Sequence, residues 1–171
     1  MKDWPEQLFQ TLKRAGVRQV GYVPDAGHKR LIELCLADKE MRAVVLSTEE
    51  EGIGLAAGAW LGGERCALLL QSSGVGNCIN ALALPVICRI PFLTIVSMRG
   101  EWGEFIPWQV PMGKGTPAVL EAMDVNVFRA DAKAEVGATV DAAANYAFNT
   151  RRSAAVLLSQ KMIGAKQFKE G

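Results

Sequence analysis

Between Glu6 and Ala15 the apolar residues Leu8, Phe9 and Leu12 recur at helical spacing, and Gly16 follows where a helix C-cap glycine stands. Val17 to Val23 is a strand-length apolar run, and it ends in the turn chemistry of Pro24-Asp25-Ala26-Gly27. His28 to Leu36 predicts a helix through Leu31, Ile32 and Leu34, and Ala43 to Leu46 a short buried strand. Glu49 to Leu61 predicts a helix whose interior is almost wholly small: Gly52, Gly54, Ala56, Ala57, Gly58 and Ala59. Each such glycine weakens an isolated helix by up to about 1 kcal/mol, so this helix must be held by close packing.

The same rhythm continues with a strand over Ala67 to Leu70, a helix over Gly74 to Leu84 and a strand over Phe92 to Ser97. Strands over Val125 to Phe128 and Ala154 to Leu158 flank an alanine-rich helix, Ala132 to Phe148. Alternating helices and continuously apolar strands predict a single three-layer α/β/α domain over residues 1–171 with a mostly parallel sheet. In such sheets ligands bind beyond the carboxyl ends of the strands. That rule selects Pro24 to His28, Ser47 to Glu51, Gln71 to Asn77 and Ser97 to Gly115, the last a long irregular stretch of the kind that is usually functional.

Nineteen basic residues against eighteen acidic ones leave a net charge of +1, so no electrostatic footprint for nucleic acid or an anionic membrane is present. No apolar run approaches the roughly 18 residues of a membrane span, and Met1 to Pro5 lacks the pattern of a signal peptide, which points to a cytoplasmic protein. Cys35, Cys66, Cys78 and Cys88 form no Cys-x-x-Cys pair, and a single histidine cannot complete a zinc set, so no metal site is expected. The cysteines read as small core residues in a reducing compartment.

Thr48-Glu49-Glu50-Glu51-Gly52 places three carboxylates at a helix start directly after a strand. Thr48 as N-cap with Glu51 as its capping-box partner, and acids complementing the helix dipole, account for the pattern without any chemistry. The functional alternative is that one acid faces the cleft. Gln71-Ser72-Ser73-Gly74-Val75-Gly76-Asn77 also follows a strand, but Ile79 stands where a dinucleotide fingerprint needs its third glycine. Gly113-Lys114-Gly115-Thr116 lacks the upstream glycine of a P-loop, Trp108 standing in its place. With one histidine, His28, and no nucleophile elbow, hydrolase triads are excluded. Trp102 and Trp108 in an otherwise polar loop suggest an interface.

Taken together, Gly21-Tyr22-Val23-Pro24-Asp25, the run from Thr48 to Ala59, the run from Gln71 to Leu82, Arg99-Gly100-Glu101 and Gln109-Val110-Pro111-Met112-Gly113 resemble the pyrimidine-binding domain of thiamine-diphosphate enzymes. The resemblance is strongest to the sulfopyruvate and phosphonopyruvate decarboxylase branch and runs over most of the chain. It implies a thiamine-diphosphate-dependent 2-oxo-acid decarboxylase, acting on sulfopyruvate or a similar acidic 2-oxo acid. A carboligase, a decarboxylase of another 2-oxo acid and a non-catalytic binding module are its rivals.

In the family the catalytic glutamate stands nine residues before the glycine closing an Ala-Ala-Gly element, and counting back from Gly58 selects Glu49, with Glu50 and Glu51 adjacent in register. Ser72, Ser73, Gly74 and Asn77, with Pro24, would line the cofactor side. Asp25, His28, Arg99 and Gln109 are candidates for the substrate side. The chain holds no Gly-Asp-Gly, the family's diphosphate and Mg²⁺ motif, and residue 171 comes too soon for a second domain. The resemblance therefore implies a diphosphate-binding beta subunit that holds Mg²⁺, and a homo- and hetero-oligomer with the active site between chains.

Overall fold

The computed structural model describes residues 3–165. Helix α1 (Trp4–Arg14) opens with Asp3 as N-cap, its carboxylate accepting the Trp4 N–H at 2.8 Å, and places Pro5 in the first turn, where no intrahelical N–H is needed. It ends at Gly16, whose φ of +75° gives the left-handed exit expected there. Strand β1 (Val17–Tyr22), α2 (Lys29–Ala37), β2 (Arg42–Val45), α3 (Glu51–Leu61) and β3 (Arg65–Gln71) follow.

The helix expected over Gly74 to Leu84 is two: α4 (Ser72–Cys78) and α5 (Ala83–Cys88), separated by a turn. Pro85 falls in the first turn of α5, where its missing N–H costs nothing, so the proline starts a new helix instead of continuing the old one. After β4 (Phe92–Ser97) the expected irregular stretch is irregular only to Trp108. Helix α6 (Gln109–Ala122) begins there, with Pro111 in its first turn and Pro117 inside it. Strand β5 (Val125–Ala130), a 3₁₀ turn (Lys133–Glu135), α7 (Val136–Thr150), β6 (Ser153–Leu158) and the short α8 (Gln160–Ile163) complete the chain.

The six strands form one sheet in the order β2-β1-β3-β4-β6-β5, all pairings parallel. Side chains alternate along each strand and build a core on each face. On β4, Leu93 and Ile95 enter the core shared with Leu8 and Leu12 of α1, Leu31 of α2 and Val140 of α7. Phe92 and Val96 enter the other, with Ile53 and Ala56 of α3, Val75 of α4 and Leu120 of α6. This is the three-layer α/β/α arrangement that the sequence predicts.

From β1 the chain passes outward to β2 and then back across to β3, so the strand order reverses between β1 and β3. At such a reversal the loops leaving neighbouring carboxyl ends diverge and open a crevice. The segments after β1, β3 and β4 meet there.

Candidate active site

Residues 47 to 50 leave β2 and turn into α3, which begins at Glu51. The Thr48 cap expected from sequence does not form: Glu50 is the N-cap, without a side-chain bond, and Glu51 Oε2 accepts the backbone N–H of Ser47 at 2.8 Å. Glu51 thus closes the turn, and Glu50 is exposed. Glu49 alone of the three reaches across to α4. Its Oε2 accepts from Asn77 Nδ2 at 2.8 Å, and a Cβ placed on Gly74 would lie 2.5 Å from its Oε1, Cγ and Cδ. The carboxylate lies flat on bare backbone, and only glycine fits beneath it.

Beside this pair, Gln71 Nε2 donates to Ser73 Oγ at 2.7 Å and to Gln109 Oε1 at 3.2 Å, tying the end of β3 to the start of α6. Ser72 is fully buried; its hydroxyl accepts the Arg99 N–H at 3.0 Å and its carbonyl accepts from Thr116 Oγ1 at 3.3 Å. Its expected place in a cofactor wall is therefore corrected. It staples β3 to the segment leaving β4, because a side chain at the first position of α4 points back under the sheet edge.

The loop after β1 contributes Asp25, whose Oδ2 accepts from Ser97 Oγ and from Gly27 N–H at 3.1 Å. Asp25, Gly27, Ser97 and Arg99 line a concavity of about 210 Å³ closed on its far side by Ile163 and Gly164. Pro24 is exposed and lines a separate, neighbouring concavity with Tyr22, Lys29 and Ile32. His28, expected at the cleft edge, is instead fully buried below it. Its Nε2 donates to the Leu70 carbonyl at 3.2 Å, while Nδ1 has no partner, and burial lowers its pKa and keeps the ring neutral. Its expected contact with substrate is overturned by that burial.

Arg99 is buried too, at 7% side-chain exposure, and forms a two-pronged ion pair with Glu104, Nε to Oε2 at 2.7 Å and Nη2 to Oε1 at 2.8 Å. The guanidinium holds the Glu104 carboxyl down at about 2. Gln160, itself fully buried, donates to Glu104 Oε2 and accepts from the N–H groups of Glu101 and Trp102. These contacts fix residues 99–104 as a strap along the cleft. The strap meets α6 backbone to backbone: a Cβ on Gly100 (φ +78°) would fall 2.1 Å from the Gln109 carbonyl oxygen, and one on Gly113 2.1 Å from that of Arg99. Gln160 carries no signal in the sequence, and Ser97 and Glu104 lie in a segment selected only as a whole; the meeting of strand ends gives each its partner.

Beyond the strap, Trp102, Phe105 and Trp108 are 56%, 42% and 75% exposed, which leaves a band of aromatic surface at the cleft mouth. Burial pushes the thiols of Cys35, Cys66 and Cys78 up to about 12, so they are inert core groups, whereas Cys88 is exposed. Among the described residues no helix is long and apolar enough to cross a membrane, and no cluster of acids, histidines and cysteines is arranged to hold a metal.

A doubly covered parallel sheet with a glycine-seated carboxylate at its carboxyl edge defines a cofactor-binding α/β domain, and residues 3–104 match the family described as thiamine pyrophosphate enzyme, N-terminal TPP binding domain. The chain belongs to that family. It is 36% identical over 154 residues to the sulfopyruvate decarboxylase subunit alpha of Methanococcus maripaludis, covering 90% of this chain and 92% of that one. It is 37% identical over 117 residues to the sulfopyruvate decarboxylase of Methanosarcina acetivorans, covering 68% of this chain but 30% of that longer protein. Among solved structures, the 2-oxoglutarate:ferredoxin oxidoreductase from Magnetococcus marinus shares the fold, with a TM-score of 0.73 at 10% identity, over 95% of this chain and 29% of that one.

Proposed function

We propose that this chain is the pyrimidine-binding alpha subunit of a cytoplasmic thiamine-diphosphate-dependent 2-oxo-acid decarboxylase, converting sulfopyruvate or a similarly acidic 2-oxo acid to its aldehyde and carbon dioxide. The observation that carries the reading is the seating of Glu49 on Gly74 with Asn77 as its hydrogen-bond partner. A planar aminopyrimidine needs a carboxylate held at a fixed height beside a flat backbone floor, and the missing Cβ of Gly74 supplies that floor. The residues present fit the group.

When bound, thiamine diphosphate supplies the carbon nucleophile and electron sink that decarboxylation requires. Glu49 holds and returns one proton at the pyrimidine N1′, and Asn77 orients its Oε2 so that Oε1 is left for that exchange. Ser73 and Gln109, linked through Gln71, border the same floor. Asp25 and Gln109 serve the substrate side. Arg99 is already paired with Glu104, so it positions the strap, and the cation for a sulfonate comes from a second chain. A diphosphate-binding beta subunit holding Mg²⁺ completes the site across an interface that includes Trp102 and Trp108.

Support for the partner comes from the relatives named as alpha subunits and from the longer Methanosarcina protein, in which the matched part is under a third of the whole. The test is reconstitution with a candidate diphosphate-binding subunit, one that carries the Gly-Asp-Gly motif, following carbon dioxide release from sulfopyruvate. Turnover that requires both chains and vanishes in Glu49→Gln sustains the proposal. Turnover untouched by that substitution refutes it.

A further inference from the structure

The edge of the sheet opposite Glu49 holds a second concentration of chemistry. Strands β4, β5 and β6 begin side by side there, with Phe92 and Val125 each in register with Ser153. The turns leading into them pass through Arg89, Asp124 and Arg151, all three at left-handed φ values of 51°, 57° and 55°. With Val86, Arg152 and Ser153 they enclose a concavity of about 230 Å³. Six-residue strands put it about 17 Å from the carboxyl edge, too far for it to share ligands with the cleft.

Its polar groups are unevenly used. Arg152 Nη1 bonds to Asp124 Oδ2 at 3.2 Å, but neither Arg89 nor Arg151 has a side-chain hydrogen-bond or ion-pair partner among the described residues. Ser153 is 2% exposed and its Oγ is unpartnered, whereas the buried hydroxyls of Thr11, Ser72, Thr94 and Thr116 all have acceptors. A buried hydroxyl without a partner is uncommon enough to demand an explanation. Cations at the carboxyl ends of α5 and α7 complement the helix dipoles, which accounts for a positive charge at each end. It does not account for three arginines around one hollow with an idle hydroxyl in its wall.

We propose that this hollow binds a tetrahedral oxyanion of the phosphate type, gripped by the free guanidinium groups of Arg89 and Arg151 and by Ser153 Oγ as a neutral donor. Guanidinium forks match the spacing of two oxygens on such an anion, and the three arginines outweigh Asp124 and the helix ends. The site uses no residue of the Glu49 cleft, so it stands or falls separately from the thiamine reading.

The test is calorimetric titration of the full chain with inorganic phosphate at constant ionic strength set by sodium chloride. Saturable binding is expected. Arg89→Gln and Arg151→Gln each weaken it roughly tenfold or more, as removal of a charged hydrogen-bond partner does. Ser153→Ala weakens it several-fold without loss of fold, since it removes a hydroxyl that nothing in the chain satisfies. The double variant Arg14→Gln, Arg30→Gln removes twice the charge of either single variant elsewhere and leaves the affinity unchanged. Glycerol phosphate in place of phosphate distinguishes the source: tighter binding assigns the hollow to a phosphorylated metabolite, equal binding to the free ion. Absence of saturable binding by both probes overturns the proposal, as does an equal loss in the Arg14 and Arg30 control.

Discussion

Asn77 Nδ2 donates to Glu49 Oε2 at 2.8 Å, joining the turn before α3 to the last turn of α4 across the cleft. One carboxylate oxygen is thereby occupied and oriented. Its neighbours in sequence are spent on local structure, Glu51 on the Ser47 N–H and Glu50 on solvent.

Glu49→Gln in the reconstituted enzyme is expected to lower turnover by about 10²-fold or more while leaving the fold intact, because the amide cannot carry the exchanged proton. Glu50→Gln should be close to silent. Glu51→Gln should cost about 1 kcal/mol of stability at the α3 turn and little activity. Steady-state rates and thermal melts of the three variants separate these outcomes; a dead Glu51→Gln beside an active Glu49→Gln would contradict the assignment.

Gly74→Ala tests the floor without touching a polar group. The new methyl overlaps the end of a flexible side chain and not backbone, so Glu49 swings away and the protein still folds. A displacement of about 1 Å at a reacting group can cost on the order of 10²-fold, so activity should fall steeply with the melting temperature nearly unchanged. A variant with normal turnover would mean that the position of the carboxylate does not matter.

Acid should destabilise the chain in two stages. His28 is its single histidine, and burial depresses its folded pKa below the usual 6.5. The unfolded chain therefore takes up a proton first, and stability drops as pH falls below about 6.5. Glu104 sits at about 2 when folded against an ordinary 4.5, so its contribution is present above 4.5 and drains away as pH falls toward 2. Urea melts across pH 3 to 8 should show both slopes. His28→Asn should remove the first, and Glu104→Gln should reduce the second, at a cost of about 3–5 kcal/mol for orphaning the buried Arg99. Asp38 and Glu40, held low by Lys13, also contribute to that second slope.

If a second chain completes the site, as proposed, this chain alone should bind thiamine diphosphate weakly by calorimetry. Mixing with the diphosphate-binding subunit should give a mixed oligomer by light scattering and a blue shift of tryptophan emission, as exposed Trp102 and Trp108 become covered. Micromolar binding by the isolated chain, or unchanged emission on mixing, would argue against the divided site.

Where hydrophobic period and turn chemistry agree, the sequence is readable: Gly16 closes α1, and β3, β4 and β6 lie where their apolar runs put them. Helix α1 starts earlier than its apolar period, at Trp4, and α7 starts at Val136 after a 3₁₀ turn and not at Ala132. Strand β2, expected to be buried, is part-exposed because it lies at the edge of the sheet. Helix α6 is not readable, because Gln109 to Pro117 contains two prolines and two glycines and looks like loop. It is helical because Gly113 fits against Gly100, a contact made only after folding. Glu49 is legible through a nine-residue count that depends on resemblance, since Glu50 and Glu51 look identical by local propensity. His28 and Ser72 mislead for a common reason: a residue at the carboxyl end of a strand can point into the cleft or beneath it, and neighbouring elements decide which.

The position of β6 also bears on how the protein is made. It lies between β4 and β5, although both precede it in the chain, and more than twenty residues part it from β5. During synthesis β4 and β5 must therefore wait, each with an open hydrogen-bonding edge, until Ser153 to Leu158 leaves the ribosome and closes the gap. Such late, long-range closure belongs to slow-folding topologies whose intermediates are prone to self-association. A premature stop just before residue 153 should give not a smaller domain but an aggregate.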